Sequence, residues 1–283
     1  MAMMNDGASL PELTATDVRL VPFAQDLLDG AVRLSEQAGW PHRSGDWALT
    51  LSASRGVTAL SGDMVVGTAL CSTFGDVAAL NMIIVDASMR GHGLGRQLMN
   101  AVIGMAGPRE IRLTATQDGL PLYKKLGFVE TGEIIQHQGL AQADGADRAV
   151  TTGSLGDVAR LAEMDQAASG MAREPVLRRI AEMGTVLRAE RGFAMLRPFG
   201  RGQVVGPVVA EDGETARALI AQAANRAQGT FLRIDVPASH DLSPFLESLG
   251  LARAGGGTSM VCQAKPEAPS PLKTFALASQ ALG

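Results

Sequence analysis

The chain has 283 residues, 46% of them hydrophobic and 19% charged, with a formal net charge of −4 and an isoelectric point near 5.6. This balance fills aliphatic cores, excludes general disorder, and offers no basic face of the kind a nucleic-acid partner requires. A length beyond the usual single-domain size predicts two domains of about 140 residues.

In chain order, Val18 to Val21 reads as a strand, and Ala24 to Ala38 as an amphipathic helix with Leu27, Leu28, Ala31, Val32 and Leu34 at helical spacing. A loop from Gly39 to Trp47, containing Trp40, His42 and Trp47, enters a second short helix. Three strands follow, Gly56 to Ala59, Met64 to Ser72 and Ala78 to Val85, the first two joined by the turn Ser61-Gly62-Asp63. A glycine turn then leads into a helix from about Gly93 to Met105, a strand from Ile111 to Thr116, a short helix around Tyr123, and a strand from Phe128 to Gln138.

The turn is Arg90-Gly91-His92-Gly93-Leu94-Gly95-Arg96, set directly after Met82, Ile83, Ile84 and Val85. Glycines at alternate positions let backbone N–H groups curl around one point, and the following helix aims its positive end there, so the segment suits a phosphate. Neither the dinucleotide spacing G-x-G-x-x-G nor the ATP-type G-x-x-x-x-G-K-[ST] is present. Further along, the only tyrosine of the chain stands in Pro121-Leu122-Tyr123-Lys124-Lys125-Leu126-Gly127-Phe128.

The pattern [QR]-x-x-G-x-[GA], read on Arg90, Gly93 and Gly95, followed by Tyr123 and Gly127-Phe128, resembles the two signatures of the general-control-related N-acetyltransferase superfamily (GNAT). The resemblance implies a mixed α/β fold that binds acetyl-CoA as co-substrate. It implies that the backbone of Ile83, Ile84 and Val85 meets the pantetheine arm. Gly91, His92, Gly93, Leu94, Gly95 and Arg96 would offer N–H groups to the pyrophosphate, with the charge of Arg90 or Arg96 nearby. Thr116 stands where the family often has a cofactor-touching asparagine. Tyr123 would be the general acid to the departing thiolate while a small-molecule amine attacks the thioester directly. Some family members carry a glutamate base where this chain has Ala79, Asn81 or Ile111. Asp86, Asp118 and His42 are then candidates through water, and no base is assigned. Trp40, His42 and Trp47 are expected to contact the acceptor, the tryptophans through cation–π attraction. The alternative function is a non-catalytic acyl-CoA sensor or scaffold.

The second half repeats the plan. Val204 to Val209, Ala216 to Ala227, Thr230 to Val236 and Pro244 to Leu251 fall in the order of the strand, helix, strand and tyrosine segment of the first half. Glu211-Asp212-Gly213-Glu214 replaces the glycine loop and Leu246 takes the place of Tyr123, so this copy is expected to be degenerate and non-catalytic. The chain thus resembles tandem GNAT proteins of the YitH type, with a catalytic domain over 1–140 and a degenerate domain over 146–283 that completes the acceptor cleft. Gly139 to Gly145 reads as the linker, Gly192 to Arg197 as a further run of the second domain, and Phe275 as the start of a last strand after a proline-rich connector, Lys265 to Pro271.

Cys71 and Cys262 lie in separate halves without metal-ligand spacing and read as buried, reduced thiols, so no metal is expected. No run approaches a membrane span, and Met1 to Leu10 lacks the features of a secretion signal. A cytoplasmic monomer or homodimer without membrane or nucleic-acid partners is the expectation.

Overall fold

The computed structural model describes residues 18–143, 149–266 and 268–283. Met1 to Leu10, the end of the predicted linker and Glu267 of the connector lie outside them. In the first half, β1 (Val18–Pro22) leads through one tight turn to α1 (Leu28–Gln37), then α2 (Ser44–Leu51) and the strands β2 (Ser54–Ser61), β3 (Met64–Phe74) and β4 (Val77–Val85). There follow α3 (Leu94–Ala106), β5 (Glu110–Ala115), α4 (Leu120–Lys125) and β6 (Val129–Leu140). The second half runs β7 (Thr151–Thr152), α5 (Val158–Ser169), α6 (Glu174–Met183), β8 (Thr185–Ala189), β9 (Gly192–Phe199) and β10 (Gly202–Ala210). It closes with α7 (Gly213–Arg226), β11 (Phe231–Pro237), α8 (Ser243–Ser248), β12 (Ala252–Cys262) and β13 (Lys273–Ala276).

The apolar spacing does what it predicts: α3 buries Leu94, Leu98, Met99, Val102 and Ala106 along one face. Gly67 of β3 keeps the sheet bare beneath this helix, since a Cβ there would stand 2.9 Å from Leu98 Cδ1. The helices α5 and α6 lie outside the predicted elements, although Val158, Leu161, Ala162 and Asp165 recur at helical spacing and are buried. The linker begins later than its composition suggests. Gly139 and Leu140 remain in β6 because they pair with Leu232 and Phe231 of β11.

The strands form one mixed sheet in the order β1-β2-β3-β4-β5-β12-β6-β11-β10-β9-β8-β7, with β13 added to β10. The two halves exchange strands. β12 of the second half inserts between β5 and β6 of the first, and β6 pairs onward with β11 of the second. The cores are exchanged accordingly: Met260 of β12 packs with Leu98, Leu113 and Tyr123, while Ile135 of β6 packs with Leu219, Ile234 and Leu246. A cut at the linker would leave each half short of a strand.

Each half also contains a parallel pair that opens into a fork. β4 and β5 are paired only from Val77 to Ala79 against Glu110 to Arg112, and β4 bulges at Met82, whose φ is +49°. Beyond Ala79, Ile83, Ile84 and Val85 have no ladder on the β5 side. In the second half, β10 and β11 are likewise paired over three positions, Gln203 to Val205 against Leu232 to Ile234, with a register shift after Val205. There the fork is filled: β13 pairs antiparallel with β10, and Leu277 N–H donates to the Asp235 carbonyl at 2.9 Å.

Candidate active site

The open fork of β4 and β5 leads at its wide end to the glycine turn. Gly91 and Gly93 have φ values of +82° and +80°, in the left-handed region that glycine enters without steric cost. A Cβ at either would meet nothing within 4 Å, so the loop's concave side is open space. Gly93 is the N-cap of α3 and no side chain caps that helix, which leaves its first N–H groups for an external acceptor. A Cβ at Gly95 would stand 3.4 Å from Leu122 Cδ2 and 3.8 Å from Val85 Cγ2, so the helix start abuts both the end of β4 and α4. His92 and Arg96 are exposed, and Arg90 lies 3.4 Å from Asp118 with both side chains in solvent. The loop therefore fits a diphosphate through its main chain.

The corresponding helix of the second half is built differently. Asp212 caps α7, accepting from Thr215 N–H at 2.7 Å, and stands 2.9 Å from Arg191. Backbone and side-chain hydrogen bonds from Thr215 hold its carboxyl below the usual range, so it stays ionised there. Leu246, at the tyrosine's place, is wholly buried in the core.

Tyr123 is 6% exposed on α4, its ring 6.1 Å from Phe128, and it lines a cavity of about 740 Å3. Burial pushes its phenol up to about 12, which keeps the proton on oxygen throughout the neutral range. The ring is fixed from behind by Gly119: a Cβ there would come 2.7 Å from Cε2 and 3.1 Å from Oη. The φ of Gly119, −80°, suits any residue, so Gly119→Ala acts through this contact alone. That substitution is expected to lower kcat at least about tenfold by displacing the phenol, with cofactor affinity unchanged in a direct titration.

The same cavity is lined by Trp40, His42, Ile83 and Thr116 of the first half and by Phe199, Arg201, Arg233 and Gln280 of the second. Its floor at β12 is nearly bare, with Ala254, Gly255 and Gly256. Thr116 Oγ1 accepts from Gly119 N–H at 3.3 Å and so also helps start α4. His42 packs edge-on against Phe199, and burial, then the charge of Arg233, pushes its imidazole down to about 4. It is neutral at pH 7. Trp47 is not brought to the cavity: it is fully buried in α2, donates to Ser35 Oγ at 2.9 Å and stacks on Phe23. Ile84 is also buried as a side chain, leaving its backbone to the fork. Asp86 is engaged by Ser88 and Asp118 by Arg90, and neither lines the cavity.

The second-half residues of the cavity went unnamed in the sequence, and one signal points to them. Phe231-Leu232-Arg233-Ile234-Asp235-Val236 places two opposite charges at alternate positions in an apolar strand. Such a pattern means a buried pair, and Arg233 does bind both Asp235 oxygens, at 2.9 and 3.0 Å. Among the described residues no cluster of three His, Cys, Asp or Glu side chains is placed to hold a metal, and no helix is long and apolar enough to cross a membrane. Cys71 is buried and Cys262 half-buried, both as free thiols.

The open fork and the buried phenol share one crevice, and the uncapped glycine turn stands at the end of the same strand. Residues 47–144 match a family model described as acetyltransferase (GNAT) domain, and residues 161–273 match a second model of the same description. The uncharacterized N-acetyltransferase YitH of Bacillus subtilis (strain 168) is 29% identical over 285 residues, which take in 93% of this chain and 98% of that protein. In fold, a putative acetyltransferase from Pyrococcus horikoshii matches with a TM-score of 0.83 at 18% identity, over 98% of this chain and 100% of that one. A tandem GNAT protein from the clavulanic acid biosynthesis pathway matches at 0.62 and 15% identity, over 88% and 99%. The chain belongs to the GNAT acetyltransferases, with two such domains in tandem and the signatures retained in the first.

Proposed function

We propose that the protein moves an acetyl group from acetyl-CoA to a primary amine of a small molecule, in the first half alone, with the second half supplying one wall of the acceptor cleft. The amine nitrogen attacks the thioester carbonyl carbon, a C–N bond forms, and the C–S bond breaks. Tyr123 Oη gives its proton to the departing sulfur, and the proton lost from nitrogen leaves through solvent and returns to the phenolate. The burial that raises the phenol also raises a thiolate beside it, so the two remain matched for proton transfer. Two free cysteines accord with a reducing, cytoplasmic setting.

The observation that carries this reading is the placement of Tyr123, buried yet lining the cavity at the open fork. The test is release of CoA from acetyl-CoA over a panel of amines, amino acids and polyamines, followed with a thiol reagent. Amine-dependent release is expected. Binding of acetyl-CoA with no release from any amine favours a sensor instead.

A further inference from the structure

We propose that the amine acceptor also carries a carboxylate, held by Arg201 and Arg233 at the part of the cleft built by the second half. This rests on the transfer reading above and adds the chemical class of the acceptor to it. The charged side chains that line the cavity are Glu36, Arg201 and Arg233, and with His42 neutral the lining is cationic. Arg233 commits Nε and Nη2 to Asp235, and among the described residues its Nη1 has no partner. Asp235 is itself closed off by Gln280 Nε2 at 2.7 Å.

The wall behind keeps the excess. Asp46 accepts from Arg43 and from Gly200 N–H, and Arg197, 2% exposed, lies 3.7 Å from it with its own Nε unpartnered. Arg43, Arg197, Arg201 and Arg233 thus stand against Asp46, Asp235 and Glu36, four positive charges against three. Arg201 has no carboxylate partner among the described residues. Its guanidinium lies 4.5 Å from the Phe231 ring centre, and that of Arg233 lies 5.2 Å from that of Phe199. Both guanidiniums thus rest against an aromatic ring, and a planar fork of N–H donors matches the two oxygens of a carboxylate.

The sheet also sets a length. Arg233 is on β11, three strands from β5, at whose end Thr116 and Tyr123 mark the reacting position. Three strand spacings are roughly 14 Å, shortened by the arginine side chains, so amine and carboxylate stand several bonds apart. An ω-amino acid fits this better than an α-amino acid reacting at its own α-nitrogen.

The experiment uses the full chain and matched pairs, ε-aminocaproate with pentylamine and β-alanine with ethylamine, in two readouts: CoA release, and quenching of Trp40 fluorescence as each amine binds. ε-Aminocaproate is expected to bind and react at least about tenfold better than pentylamine, with a smaller gap for the short pair. Arg201→Gln, an exposed position, is expected to remove that advantage, so that ε-aminocaproate and pentylamine bind and react alike. Equal binding of the members of each pair, or an advantage that survives Arg201→Gln, overturns the proposal while leaving transfer intact. Carboxylate-dependent, Arg201-dependent quenching without CoA release supports the anion site and sinks the transfer reading.

Discussion

Tyr123→Phe is expected to lower kcat for amine acetylation by about 100- to 1000-fold, while the KM for acetyl-CoA stays within about twofold. The substitution removes one oxygen and leaves the ring against Phe128 and Gly119. Among the described residues the hydroxyl has no hydrogen-bond partner, so its loss orphans no group and the melting temperature holds. On the proposed mechanism what is lost is the proton donor to sulfur. The pH dependence carries the same information. Because burial raises the phenol to about 12, its protonated form persists above the usual tyrosine range. Wild-type turnover is expected to climb as the amine deprotonates and to show no descending limb near pH 10, where an unperturbed tyrosine titrates. Steady-state rates across pH check both; an unchanged kcat in the variant would remove Tyr123 from the chemistry.

Arg173→Met is expected to cost about 3–5 kcal/mol of stability, because it leaves Asp165 buried without its cation. Both side chains are fully buried, with Arg173 Nε and Nη2 donating to the two Asp165 oxygens at 2.7 and 2.8 Å. The remaining guanidinium nitrogen holds the backbone oxygens of Leu282 and Gly283. For a chain of this size each kcal/mol is worth about 2–4 °C, so the melting temperature falls by about 10 °C. The segment so anchored supplies β13, which fills the second fork, and Ser279 to Ala281, which line the cleft. The KM for the amine therefore rises more than that for acetyl-CoA. Arg173→Met combined with Asp165→Leu is expected to recover much of the loss, since no buried charge is then left alone. A shift of less than about 1 °C in the single variant contradicts this account of the pair.

Local features of the site were legible in the sequence and its long-range assembly was not. Gly91, Gly93 and Tyr123 could be read because their meaning depends on neighbours a few residues away: a turn, a helix start, a short helix before Gly127-Phe128. The exchange of β6 and β12 depends on which sheet edges remain open after the rest has folded, and neither strand carries that information in its own residues. The closure of the second fork is of the same kind, since the run from Phe275 reads only as a last strand, and β13 starts two residues earlier, at Lys273. Trp47 illustrates a different limit. A tryptophan beside a loop suits a ligand equally well as a core, and what decides for the core is Ser35 twelve residues earlier, aimed at its indole N–H. The Arg233-x-Asp235 alternation is the kind of signal that marks a buried pair, though not the cleft it faces.

The central claim is that each chain holds one functional coenzyme site, at the open fork, the other fork being closed by β13. Calorimetric titration of acetyl-CoA into the full chain tests it most directly, alongside Gly93→Asp, which sets a carboxylate in the cradle at the cost of a φ of +80° that side chains rarely adopt. One molecule bound per chain, with affinity at least about 100-fold weaker in the variant and a melting temperature lowered only by the few degrees that left-handed strain of about 1–2 kcal/mol costs, is the result predicted. Two molecules per chain, or undiminished binding by Gly93→Asp, would contradict it.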